Sequence, residues 1–121
     1  MSQANRTRTQ HYAEKSLKKI QAIKGKETAK DYKSRCDNFP VMVMQAGIAQ
    51  AVGFMLAKGK ENQAYSQYLN DLASVMGEAD GTAFHAKIIA VQIPDYRKLT
   101  RETLNAAGWF KRFGQAYLSE K

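Results

Sequence analysis

A lone cysteine, Cys36, excludes an internal disulfide and fits a reducing cytosol. With only two prolines and no Gly/Ser-rich or Gln-rich tract, there is no sign of a linker. One domain over residues 1–121 is therefore expected. The two histidines, His11 and His85, lie far apart and match no metal-ligand spacing. Asp71, Glu78 and Asp80 fit no EF-hand loop. Neither a Walker glycine loop nor a dinucleotide fingerprint occurs. The opening MSQANRTRTQHYAEKSLKKI lacks the apolar core of a signal peptide, and no stretch alternates with a period of two. These absences remove most cofactor and metal chemistry. The expectation is a cytoplasmic protein with no catalytic residue, no metal and no cofactor.

Acidic side chains are scarce too, and unevenly placed. Nineteen Lys and Arg against eleven Asp and Glu give a net charge of +8. Residues 1–35 hold ten basic and three acidic groups, 36–96 three and six, and 97–121 six and two. Positive charge thus sits at both ends of the chain around a slightly acidic middle. Such segregation points to a polyanionic partner, nucleic acid first and acidic lipid second.

What is abundant is uncharged apolar sequence. Phe39 to Ala57 carries no charge, a length that could cross a bilayer. Its apolar residues occupy all sides of a helical wheel, as in a helix buried in lipid or among other helices. The neighbours decide between the two. Tyr12, Ala13, Leu17, Ile20 and Ile23 share one side of a helix expected from about Asn5 to Ile23. Tyr65, Tyr68, Leu69, Leu72, Ala73 and Met76 form a second one-sided stripe. Both need an apolar surface to cover, and the uncharged segment supplies it. Phe54 is accordingly placed in the core, and no membrane span is expected.

The remaining segments are helical as well. KETAKDYKSRCDNF reads as a short helix closed at Asn38 by the restriction Pro40 places on Phe39. TAFHAKIIAVQ turns Phe84, Ile88 and Val91 inward. PDYRK is a short turn, and Thr100 looks like the N-cap of a last helix, RETLNAAGWFKRFGQAYLSE. Trp109, Phe110, Phe113, Ala116 and Tyr117 share a face of it, and the four aromatic residues are assigned to core packing and not to stacking on bases. The fold class is all-α, a compact bundle of six or seven helices around a buried central helix at about 40–58.

Basic stripes are the strongest chemical signal. Arg8, Lys15, Lys18 and Lys19 lie along one side of the first helix, at a pitch that can follow a phosphate backbone. Lys24, Lys33 and Arg35 complete the N-terminal cluster, and Lys111 and Arg112 point away from the aromatic face of the last helix. These nine residues are the candidate nucleic-acid contacts. Arg35 and Lys33 would also lower the pKa of Cys36, which leaves a small cysteine enzyme as a further reading.

DYKSRCDNFPVMVMQAGIAQAVGFMLAKGK, YSQYLNDLASVMG and YRKLTRETLNAAGWFKRFGQAYL occur in this order. Together they resemble the small subunits of the Cmr complex, the type III-B CRISPR effector. Tyr32, Pro40, Gly47, Phe54, Lys58 and Gly59 carry one part of the likeness. Leu99 to Glu102, Trp109 and Phe113 carry the other. GEADGTAFHAKIIAVQIPD matches only loosely. The resemblance implies a non-catalytic helical subunit in antiviral defence. Several copies would stack beside the backbone subunits that hold the guide RNA, and line the groove where target RNA pairs with the guide. Partners would be the backbone subunit, itself in stacked copies, the large subunit, guide RNA and target RNA. A stand-alone basic helical nucleic-acid-binding protein is the alternative.

Overall fold

A computed structural model describes residues 7–118 and contains six helices and, among the described residues, no strand. They are α1 (Arg8–Ile23), α2 (Ala29–Ala46), α3 (Ile48–Gly59), α4 (Gln63–Val75), α5 (Gly81–Ala90) and α6 (Ile93–Tyr117). The expected start of the first helix at Asn5, and Ser119 and Glu120 of the last, lie outside the described residues.

Local chemistry accounts for α1. Thr7 accepts from the Gln10 amide at 3.1 Å, and the Gln10 side chain accepts from the Thr7 amide at 2.8 Å. This capping box satisfies two of the free amides at the helix start. Tyr12, Ser16, Ile20 and Ile23 are buried, chiefly against α6.

The long apolar segment is not one central helix. Gly47, with φ +88° and ψ 159°, ends α2 and starts α3. Side chains other than glycine's rarely adopt that backbone, so the break follows from one residue. Each half buries a single stripe. Phe39 and Val43 are buried on α2, and Ile48, Ala51, Val52 and Met55 on α3. Val41, Met44 and Phe54 are left at the surface, Met44 being 74% exposed. Phe54 is thus not a core residue as expected: it is 44% exposed, and its ring meets Tyr65 in a T-shaped contact, ring centroids 6.1 Å apart. Among the described residues, no helix is long and apolar enough to cross a membrane.

Pro40 does not end the second helix either. The stripe Tyr32, Cys36, Phe39, Val43 runs through it at helical spacing, every member buried. Its burial outweighs the one hydrogen bond that a proline cannot give. Thr100 is likewise no N-cap. The last helix begins at Ile93, with Pro94 and Asp95 in its first turn, and Thr100 sits inside it, its hydroxyl donating to the Tyr96 carbonyl at 2.9 Å. Proline is pre-organised for a first turn, so PDYRK joins the helix. Phe84 and Ile88 of α5 are buried as expected, with Val91 partly so.

One polar pair bridges α2 and α4. The Tyr32 hydroxyl donates to Asp71 Oδ2 at 2.7 Å. Burial raises the Asp71 pKa above its ordinary 3.8, opposed by that hydrogen bond and by Lys19 and Lys26. A carboxyl whose folded pKa is raised keeps its proton longer in the folded state, so its ionisation costs stability. That cost appears as pH rises from 3.8 through the raised value, and then levels off. Asp71→Asn keeps an acceptor for Tyr32 and removes the titration. Compared by urea midpoint between pH 3.5 and 7, the variant should gain on wild type as pH rises. Parallel curves would show that Asp71 is not strained.

Candidate nucleic-acid interface

The nine cations expected from sequence divide into three groups. Three of them are held by carboxylates. Arg8 pairs with Glu102, Lys33 with Asp37 at 3.1 Å, and Arg35 with Asp31 at 3.5 Å. Arg35 also lies 4.2 Å from the centroid of the Tyr65 ring, a cation–π contact between α2 and α4. Lys33 and Arg35 are mostly covered, each paired within α2, and Arg35 alone reaches across to α4. Arg8, more than half exposed, keeps access to solvent.

A second group converges. Lys15, Lys18 and Lys19 line one surface hollow of about 340 Å³, together with Ala22 and with Ser74 of α4. None of the three is in an ion pair among the described residues. Three ammonium groups around a concavity, with a serine hydroxyl on its wall, can hold a phosphate by charge and hydrogen bonding. Lys24, in the α1 C-cap position, is exposed.

The third group lies on α6. Arg112 is exposed and lines a hollow of about 340 Å³ with Thr9, Leu104, Asn105, Gly108 and Trp109. Lys111 is half-buried and lies off this hollow. A neighbouring hollow, also about 340 Å³, is lined by Arg8, Thr9, Lys98, Arg101, Glu102 and Asn105. Thr9 and Asn105 belong to both, and Asn105 Nδ2 donates to Thr9 Oγ1 at 2.9 Å, joining α1 to α6. The two hollows therefore adjoin along an α1–α6 groove, with the Thr9–Asn105 pair as their common wall. At 100° per residue, Lys98, Arg101, Asn105, Gly108 and Arg112 fall within about 80° of arc, and they span about 21 Å of helix.

Lys98 and Arg101 are absent from the sequence-based set. Their 3–4–3–4 spacing with Asn105, Gly108 and Arg112 could have found them. Placing a helix start at Thr100 cut that stripe in two. Ser74 carries no comparable signal, since only the packing of α4 against α1 brings it to the lysines.

The aromatic stripe of α6 is graded in burial. Phe110 is fully buried, Trp109 and Phe113 are partly covered against the core, and Tyr117 is exposed. Trp109 and Phe113 stack at 5.4 Å with 28° between planes. Cys36 is fully buried, and burial pushes its thiol pKa up, with Asp37 and Asp71 adding to the shift. A thiol with neither solvent access nor thiolate character is no nucleophile.

The sequence as a whole can be set beside known proteins. The family model for CRISPR-associated protein (Cas_Cmr5) matches residues 8–117. The CRISPR system Cmr subunit Cmr5 of Thermus thermophilus is 39% identical over 115 residues, which are 95% of this chain and 99% of that one. The X-ray crystal structure of a CRISPR-associated Cmr5 family protein from Thermus thermophilus matches with a TM-score of 0.89 at 36% sequence identity. The match covers 94% of this chain and all of that one. With a family pattern running from one end of the helical bundle to the other, and a relative alike over nearly its whole length, the chain belongs to the Cmr5 family of CRISPR-associated proteins.

Proposed function

We propose that this chain is the small, non-catalytic subunit of a type III-B CRISPR Cmr complex. It stacks in several copies beside the backbone subunits and touches guide and target RNA through basic surface. The observation that carries this reading is the likeness to a Cmr subunit across nearly the full length of both chains. The distribution of charge supports it. The lysine hollow on α1 and the α1–α6 groove offer Lys15, Lys18, Lys19, Lys98, Arg101 and Arg112 without carboxylate partners among the described residues. Cations spaced along helices follow a phosphate backbone and read little sequence.

Gel filtration tests the subunit assignment. Co-expressed with the guide-bound backbone subunits, the chain should co-elute with them in more than one copy. Elution at its own small size, together with tight binding of RNA by the free chain, would favour a stand-alone nucleic-acid-binding protein.

A further inference from the structure

We propose that the hollow over Gly108 is a subsite for one unpaired RNA base, walled by Trp109 and anchored at its phosphate by Arg112. The inference rests on the RNA-contacting role proposed above and assigns it a place and a mode. The fold does not need the glycine at position 108. Gly108 lies in the interior of α6, where glycine is less stable than alanine because it surrenders more backbone freedom. The positive φ values belong to Gly25, Gly47 and Gly77, so the Gly108 backbone demands no glycine.

Packing demands none either. A Cβ at Gly81 would come within 2.6 Å of Leu69, at Gly59 within 3.0 Å of Ser66, and at Gly114 within 3.5 Å of Cys36. A Cβ at Gly108 would meet nothing within 4 Å. Its missing side chain therefore leaves space open to solvent, and that space is the hollow beside Trp109.

The walls suit a nucleotide. Trp109 offers an aromatic surface steadied from behind by Phe113, which in turn meets Tyr117 at 6.2 Å. A base of any identity can stack on such a surface. Asn105 and Thr9 supply polar groups at the rim, and Arg112 a planar cation for the phosphate. A volume of about 340 Å³ is at the lower end for a ligand pocket, room for one nucleotide and little more. Asn105 and Thr9 also line the adjoining hollow that holds Arg101 and Lys98, where the adjoining phosphates would run.

Gly108→Gln tests this by filling the hollow with an uncharged, helix-favouring side chain. Gly108→Ala fills it in part. The probes are a ten-residue oligoadenylate and an abasic ribose-phosphate strand of the same length, bound to the full chain and to the reconstituted complex. Gly108→Gln should melt no lower than wild type. It should bind oligoadenylate roughly five-fold or more weakly, the loss of one stacked base, and bind the abasic strand as wild type does. Gly108→Ala should fall between. Unchanged affinity for both strands would overturn the subsite while leaving the RNA-contacting role intact. Equal loss on both strands would also overturn it, by showing phosphate contact alone. Failure to enter the complex with unchanged RNA affinity would give the hollow to a protein neighbour. Wild-type protein that binds neither strand, free or assembled, would overturn both the subsite and the role it rests on.

Discussion

Phe110→Ala is expected to lower the unfolding free energy by ~3–5 kcal/mol, whereas Phe54→Ala should cost ~1 kcal/mol or less. The difference follows from position. Phe110 has no exposed surface and meets Tyr68 in a T-shaped contact at 5.4 Å. Tyr68 in turn meets Tyr32 at 5.7 Å and Phe39 at 5.5 Å. These four rings join α2, α4 and α6, so removing one leaves a cavity that three helices must close around. Phe54 borders solvent, and its loss opens no enclosed space. Denaturant unfolding of the two variants decides the matter. Equal losses, or a larger one for Phe54, would contradict this division between core and surface.

Phe54 also shows where sequence reading stops. One-sided stripes made α1 and α4 legible, because polar residues mark the outer face of each. The segment from Phe39 to Ala57 has no such marker, and its wheel is apolar all round whether it forms one buried helix or two half-exposed ones. Only the backbone of Gly47 distinguishes the two cases, and a glycine inside an apolar run does not announce a positive φ. At Pro94 and Thr100 two start signals competed, and the earlier one won because Leu99, Thr103 and Ala106 continue a single buried stripe. That choice determined what could be seen of the interface. With the helix begun at Thr100, Lys98 fell outside it and the stripe to Arg112 was cut.

Charge was legible as a total and by region, but not as access. The pairs Lys33–Asp37 and Arg35–Asp31 stand four residues apart and could have been anticipated from spacing. Arg8 and Glu102 are separated by 94 positions, and nothing local couples them. Conversely, Lys15, Lys18 and Lys19 were found by the wheel alone, since cations sharing a helix face need no tertiary contact to be neighbours. The family likeness reached further than any of these, because it reads the whole pattern at once. Even so, it does not say which side chains meet RNA.

The largest functional effect is expected from replacing Lys15, Lys18 and Lys19 together by Ala. Each phosphate contact removed from a single strand flattens the plot of log K against log salt by roughly 0.7, so three contacts remove about 2 from the slope. Between 50 and 200 mM salt, wild type should therefore lose roughly 20-fold more affinity than the variant. The fold should be little changed, since Lys15 and Lys18 are exposed and exposed substitutions usually change stability by about 0.5 kcal/mol or less. Lys19 is the partial exception, because its charge favours ionised Asp71. A melting curve run alongside separates unfolding from lost contact.

The most direct test of RNA contact through basic surface is this salt dependence, measured for target RNA on complexes reconstituted with the triple variant. A flatter slope, with the same guide loading and no preference among scrambled target sequences, is the predicted result. A slope identical to wild type at every salt concentration would show that the lysine hollow of α1 does not touch RNA.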